Sequence, residues 1–146
     1  MTVEKHGDKI VVVPYLRTTS GYYISGEQLA ICPSDVADKS LGDLVKEAFR
    51  HTDMDFLPVD STTLKARFAK HKKAIGVRNM RQYMEQALAV QLLLDADEVL
   101  AVSPTRNEGS RGGFAFREHE GRQIKFGDAS SSEIGEAVRA VLALSD

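Results

Sequence analysis

The sequence predicts an α+β fold, with a largely antiparallel sheet (an N-terminal meander plus two C-terminal hairpins) covered by about four helices. Three observations point there. Strand-like and helix-like segments come in blocks, three strands, three helices, four strands and one helix, which argues against alternating βαβ units. Apolar residues recur at every second position from Leu88 to Leu94, the pleat of a half-buried strand. They recur every three or four positions in 41–49 and 134–142, one face of an amphipathic helix. No repeat or linker interrupts the chain, so residues 1–146 are expected to form a single domain.

KIVVVPYL (9–16) is rich in β-branched residues and reads as one strand, with Pro14 marking an edge or a bulge because it has no N–H to donate. In TTSGYYISGE (18–27), Ser20-Gly21 and Gly26-Glu27 read as the two turns of the meander. Glycine first in a two-residue loop suits a type II′ hairpin, which would pair Ile24 with Leu29 and Tyr23 with Ala30 and require a positive φ at Gly26.

SLGDLVKEAFRH is the clearest helix, with Leu41, Leu44, Val45, Ala48 and Phe49 on one side and Ser40 and Asp43 spaced as a capping box. A thinner stripe of Leu64, Phe68, His71 and Ile75 predicts a second helix, closed by Gly76 as a left-handed cap. Asn79 is placed to cap a third, short helix with Met80, Tyr83, Met84 and Ala87 turned inward.

Leu88, Val90, Leu92 and Leu94 then share a strand face, and Asp95-Ala96-Asp97 turns the chain into EVLAVSP. NEGSRGG is expected as a mobile loop before FAFRE, and HEG as the turn that pairs FAFRE with RQIKF. The last helix begins at the capping box Ser130 and Glu133 and buries Ile134, Val138, Val141 and Leu142.

With 42% apolar and 27% charged residues, the composition is that of a globular protein. MTVEKHGDK lacks the apolar centre of a signal peptide and no run approaches a membrane span, so a cytoplasmic location with no membrane partner is expected. Cys32 is the only cysteine, which excludes an intrachain disulfide and a zinc site built on cysteines. Charge is sorted along the chain. Residues 61–84 hold seven basic and no acidic side chains, whereas 1–60 hold ten acidic against six basic and 85–146 eleven against six. A helix so charged lacks acidic partners at i±4 and must meet negative charge elsewhere, on nucleic acid along 64–81 or on the acidic flanks of its own chain.

Catalytic chemistry finds little support. Ser20 and Ser25 lie outside any G-x-S-x-G elbow, and turns account for them. His6, His51, His71 and His119 are scattered singly, without metal-ligand spacing; His51 suits the C-terminal end of a helix and His119 an exposed hairpin corner. NEGSRGG lacks the Gly-Lys-Ser/Thr ending of a phosphate loop. No catalytic residue, metal or cofactor is therefore expected, and an unrecognised hydrolase is the enzymatic alternative.

TTSGYYISGE, PSDVADKSLGDLVKEAF, GVRNMRQYMEQA, GGFAF and SSEIGEAVRAVL, in this order and covering most of residues 12–142, resemble the immunity proteins of bacterial contact-dependent growth inhibition systems. The match rests on their joint order, each motif alone being a turn, a cap or an amphipathic helix. It implies a cytoplasmic protein without a reaction of its own, which binds and neutralises the C-terminal toxin domain, often a nuclease, of a large surface-displayed effector. The toxin domain is then the expected partner, with nucleic acid secondary.

A nuclease groove is basic, so an acidic surface with an apolar anchor is expected to meet it. TDMDFLPVD fits that need best, with Asp53, Asp55 and Asp60 around Met54 and Phe56, and the hairpin tip Asp95, Asp97 and Glu98 comes second. Equally open is that Phe56 and Leu57 plug the core and the aspartates pair with the basic helix that follows.

Overall fold

A computed structural model describes residues 1–19, 21–27, 29–52, 60–85 and 87–146. In chain order its elements are β1 (Thr2–His6), β2 (Lys9–Val13), β3 (Tyr15–Arg17), β4 (Tyr23–Ser25), β5 (Ala30–Pro33), α1 (Asp38–Phe49), α2 (Ser61–Ile75) and α3 (Met80–Glu85). They continue with β6 (Ala87–Leu94), β7 (Val99–Asn107), the single turn α4 (Gly109–Gly112), β8 (Phe114–Phe116), β9 (Arg122–Lys125) and α5 (Ser131–Leu142). The main sheet runs β5-β2-β1-β6-β7, with β8 and β9 both on the outer edge of β7 and every pair antiparallel. β3 and β4 form a separate ribbon. The α+β class and the antiparallel sheet are as the sequence predicts.

Helices cover both faces. α1 and α5 close one core over Val3, Ile10, Val12, Val90, Leu92, Leu100 and Val102. On the other side, Val11 and Val13 pack with Ile75, Tyr83 and Met84 of α2 and α3. Burial on both faces explains why β2 is a continuous apolar run, Ile10 to Val13, where a one-sided strand would alternate.

β1 is the element the sequence reading missed. Thr2, Glu4 and His6 alternate with Val3, and the Gly7-Asp8 turn, with Gly7 at φ +59°, folds the strand back onto β2. The polar set suggests a solvated edge, yet β1 lies between β2 and β6 with all three polar residues buried.

Other differences concern pairing. Residues 9–16 are two strands in two sheets, because Pro14 has no N–H with which to continue a ladder. Its carbonyl accepts Gly26 N at 2.7 Å. Gly26 therefore does not open a type II′ hairpin: β4 pairs back onto β3, Leu16 opposite Ile24, while β5 pairs with β2, Val11 opposite Ile31. The expected pairs Ile24–Leu29 and Tyr23–Ala30 do not form. Glycine serves close approach at this position, since a Cβ would lie 3.1 Å from Pro14 Cγ. The turn at Gly21 is as expected, with Gly21 N donating to Thr18 O at 2.9 Å and φ at +85°.

β8 and β9 do not face each other as a hairpin; they lie end to end along β7. Pro104 on β7 accepts Arg117 N at 2.9 Å but has no N–H to return, and there the chain bulges through a 3₁₀ turn, Glu118–Glu120, before pairing again. His119 is exposed on that turn. NEGSRGG contains α4 and is tied down by Asn107, which accepts Gly109 N at 2.9 Å and donates from Nδ2 to Met84 O and Ala87 O.

The capping signals divide. Ser130 and Glu133 form the predicted capping box, Gly76 adopts φ +85°, and Asn79 Oδ1 accepts Gln82 N at 2.9 Å. Ser40 caps nothing: α1 starts two residues earlier, and its N-cap Ala37 makes no side-chain bond. That end is held instead from α5, where Arg139 Nε donates to Asp38 Oδ1 at 2.6 Å and the guanidinium reaches the carbonyls of Ser34 and Val36. Met80 is exposed instead of inward, and Ala87 belongs to β6.

Two glycines set the distance between α1 and α5. A Cβ on Gly42 would stand 1.8 Å from Ser131 O, and one on Gly135 2.0 Å from Asp38 O, both against backbone that cannot step aside. Gly42→Ala and Gly135→Ala are each expected to destabilise the protein by roughly 1–3 kcal/mol or more, because the helices must part to admit the methyl. Urea unfolding checks this; wild-type midpoints in both variants would refute the close packing.

Candidate functional site

β6 and β7 pair in register out to Leu94 opposite Leu100, which projects residues 95–98 as a tip. Asp95 Oδ1 accepts the amides of Asp97 at 2.9 Å and Val99 at 2.8 Å, an Asx turn that fixes the bend. Glu98 takes φ +58°. Behind the tip, Lys125 Nζ donates to Asp97 O at 2.7 Å and Phe126 N to Glu98 O at 2.8 Å. The backbone is thereby pinned while the side chains of Asp95, Asp97 and Glu98 face solvent. Leu93 and Leu94, 48% and 37% exposed, sit next to them. The alternation of β6 predicts Leu94 on the buried face and gives no signal for Leu93, so the apolar half of this surface is not legible in the sequence.

Asp60 belongs to another place and has a local duty. It caps α2, accepting Thr63 N at 2.7 Å and Thr63 Oγ1 at 2.9 Å. The Thr63 amide and hydroxyl hold its carboxyl below the ordinary range. Asp53, Asp55 and Phe56 lie outside the described residues.

The structure also assembles a cluster that no sequence spacing announced. Alternation along β1 points Thr2, Glu4 and His6 to the face covered by α2 and α3. There Glu4, 4% exposed, accepts His6 Nε2 at 3.0 Å, Tyr83 Oη at 2.5 Å and Thr2 Oγ1 at 3.2 Å, with His71 Nε2 at 3.6 Å. Tyr83 stacks its ring 4.8 Å from that of His6 and 5.6 Å from that of His71.

Burial pushes the Glu4 carboxyl up, but the His6 bond, the nearby His71 and the Tyr83 hydroxyl outweigh it, and the group lies below its ordinary value. Burial pushes His71 down, and Glu4 restores only part of the loss. Tyr83 is raised far above a normal phenol by burial and by the carboxylate it serves. Carboxylate, imidazole and phenol are the groups of acid–base chemistry, but with each side chain about 5% exposed or less the cluster has no face for a substrate. Its chemistry is to hold β1, α2 and α3 together. The available clue was a histidine inside the apolar stripe of α2, which demands a buried polar partner.

The basic stretch finds part of its counter-charge within the chain. Glu27 lies 3.6 Å from Arg67 and 3.7 Å from Lys70, Arg81 pairs with Glu85 at 2.8 Å, and Lys72 stands 5.2 Å over the Phe68 ring. Among the described residues no group of three His, Cys, Asp or Glu is arranged to hold a metal ion, and no helix is long and apolar enough to cross a membrane.

No family model matches the chain, and no curated protein matches it. Solved structures share its fold. A protein of unknown function from Neisseria meningitidis superposes with a TM-score of 0.83 at 16% identity, over 99% of this chain and 93% of the other. A chain of the CdiA-CT/CdiI toxin and immunity complex from Yersinia pseudotuberculosis superposes with a TM-score of 0.71 at 21% identity, over 99% and 95%. At these identities the likeness is one of fold.

The buried cluster makes two measurable demands. Tyr83→Phe removes a hydrogen bond to a buried charge and is expected to cost about 1.5–3 kcal/mol in denaturant unfolding. Stability should also fall on acidification. His71 has a folded pKa below its unfolded value of 6.5, so the unfolded chain takes up the proton first and stability declines once pH drops below about 6.5. Glu4, lowered from 4.5, adds a second decline below that value. Unfolding free energy measured from pH 8 down to about 2.5 checks both, and His71→Leu should flatten the upper part of the slope.

Proposed function

We propose that this protein is a cytoplasmic immunity protein that binds and neutralises the C-terminal toxin domain, a nuclease, of a contact-dependent growth inhibition effector. The observation that carries the reading is the match, over nearly the whole of both chains, to a chain of the CdiA-CT/CdiI complex. The ordered sequence motifs point to the same family independently. The Glu4 cluster, which gathers a carboxylate, two imidazoles and a phenol, is sealed from solvent, and this supports a binding role over a catalytic one.

Asp95, Asp97 and Glu98, with Leu93 and Leu94, form the toxin-facing surface in this reading: an acidic rim beside an apolar anchor, fit for a basic substrate groove. Asp53, Asp55 and Phe56, which lie outside the described residues, and Asp60 are proposed as further toxin contacts on their acidic and apolar chemistry.

Co-expression with the cognate toxin domain should restore growth and yield a complex that survives gel filtration; continued killing at matched expression would overturn the proposal. Asp97→Lys changes a side chain that makes none of the turn's bonds, so it should leave the melting temperature unchanged and slow association in a salt-dependent manner. Asp95→Ala removes the acceptor of two turn amides and should instead cost about 1 kcal/mol of stability. Unchanged association kinetics in Asp97→Lys at low salt would move the interface off the tip.

A further inference from the structure

The β3–β4 ribbon and α2 enclose a cleft of about 350 Å³, lined by Tyr15, Tyr23, Ile24, Leu64, Arg67 and Phe68. Its walls are aromatic and aliphatic, and its lip is exposed apolar surface: Tyr23 is 57% and Leu64 39% open to solvent. Tyr22, the neighbour of Tyr23 in sequence, is 74% exposed. Neither function nor fold has so far accounted for this display.

Arg67 is the charged member of the lining, and its needs are poorly met. Its side chain is 13% exposed, yet among the described residues Nε has no hydrogen-bond partner. Nη1 reaches Ser25 O only at 3.5 Å, and Glu27 stands 3.6 Å from Nε, inside ion-pair range but too far for a hydrogen bond. Glu27 is itself half exposed and shared with Lys70 at 3.7 Å. A guanidinium has five donors in a planar fork that matches a carboxylate in two parallel bonds, and a buried one left under-bonded is costly. Glu27 holds that position loosely.

We propose that this cleft docks an acidic segment of a protein partner, a carboxylate from the segment displacing Glu27 to form the paired bonds with Arg67 while an adjacent apolar side chain enters between Tyr23 and Leu64. The volume suits one or two side chains and sits at the lower end of ligand pockets. The charge at the cleft selects the occupant. Glu27 stands 3.6 Å from Arg67 and 3.7 Å from Lys70, so a run of phosphates laid over the cleft would meet a repelling carboxylate there, whereas nucleic-acid affinity rests on many phosphate contacts. A segment with one well-placed carboxylate and an apolar anchor gains from the cleft what a polyanion cannot. The surface is independent of the acidic tip, which suits a basic partner, and its failure would leave the toxin-binding proposal standing.

The test titrates the isotope-labelled full chain with a blocked peptide of sequence Asp-Glu-Leu-Phe-Glu-Asp, with its counterpart carrying lysine at the acidic positions, and with a short oligouridylate. The acidic peptide should shift the amides of Tyr23, Ile24, Leu64 and Phe68 saturably. Tyr23→Ala and Arg67→Leu should each weaken it about tenfold, the scale of a lost charged hydrogen bond or aromatic anchor. Glu27→Gln should tighten it, because the internal competitor is gone; a merely structural Arg67–Glu27 pair would give no gain. Should Arg67→Leu fail to fold, the Glu27→Gln and Tyr23→Ala titrations decide. Equal binding of the lysine peptide, stronger binding of the oligouridylate, absence of shifts at these four residues, or no tightening in Glu27→Gln would each overturn the proposal.

Discussion

A carboxylate under two helices is tolerable only if its charge is answered on the spot, and Glu4 is answered by three donors and a neighbouring imidazole. Those groups arrive from β1, α2 and α3, so the sheet's central strand and the helices that cover one face are registered against a single point. Val11 and Val13 beside it supply apolar contact, but apolar contact does not fix orientation. The short bond from Tyr83 and the ring contacts among His6, His71 and Tyr83 do, since each has a preferred geometry. Removing one donor leaves a buried charge short of a partner, which is worse than never having placed it there.

The opposite face is organised by proximity. Gly42 and Gly135 let α1 and α5 approach backbone to backbone, and Arg139 reaches across to close the loop at Ser34 and Val36 and to pair with Asp38 at the start of α1. Lys46 adds a bond to Ala129 O at 2.7 Å. A rigid layer results on which the β6–β7 hairpin stands, with Leu92, Leu100 and Val102 packed beneath it. This is why the tip can present its carboxylates from a fixed backbone: the anchor lies in the core and the turn is closed by Asp95 and Lys125.

Charge is thus divided in space as well as along the chain. The acidic tip stands at one end of the β6–β7 pair, and α2 carries the cationic stretch beside the ribbon. Two surfaces of opposite sign on a small protein allow two chemically distinct contacts, and each would be steered by its own field. Glu27 keeps part of the cationic charge occupied within the chain.

Local chemistry was enough to determine the fold class, the helices with full apolar faces, the β6–β7 hairpin and the caps at Asn79, Gly76 and Ser130, because each depends on residues three or four apart or alternating within one segment. It also placed Asp95, Asp97 and Glu98 on an exposed turn. Tertiary structure alone decided which strands pair. β5 leaves the expected meander for β2, and β8 and β9 share β7, because backbone partners are chosen by the whole sheet and by where Pro14 and Pro104 withhold a donor. β1 was illegible for the same reason. Thr2, Glu4 and His6 look solvated until Tyr83, 79 residues from Glu4 in the chain, supplies the hydroxyl that bonds the carboxylate, with the His71 ring 3.6 Å from it.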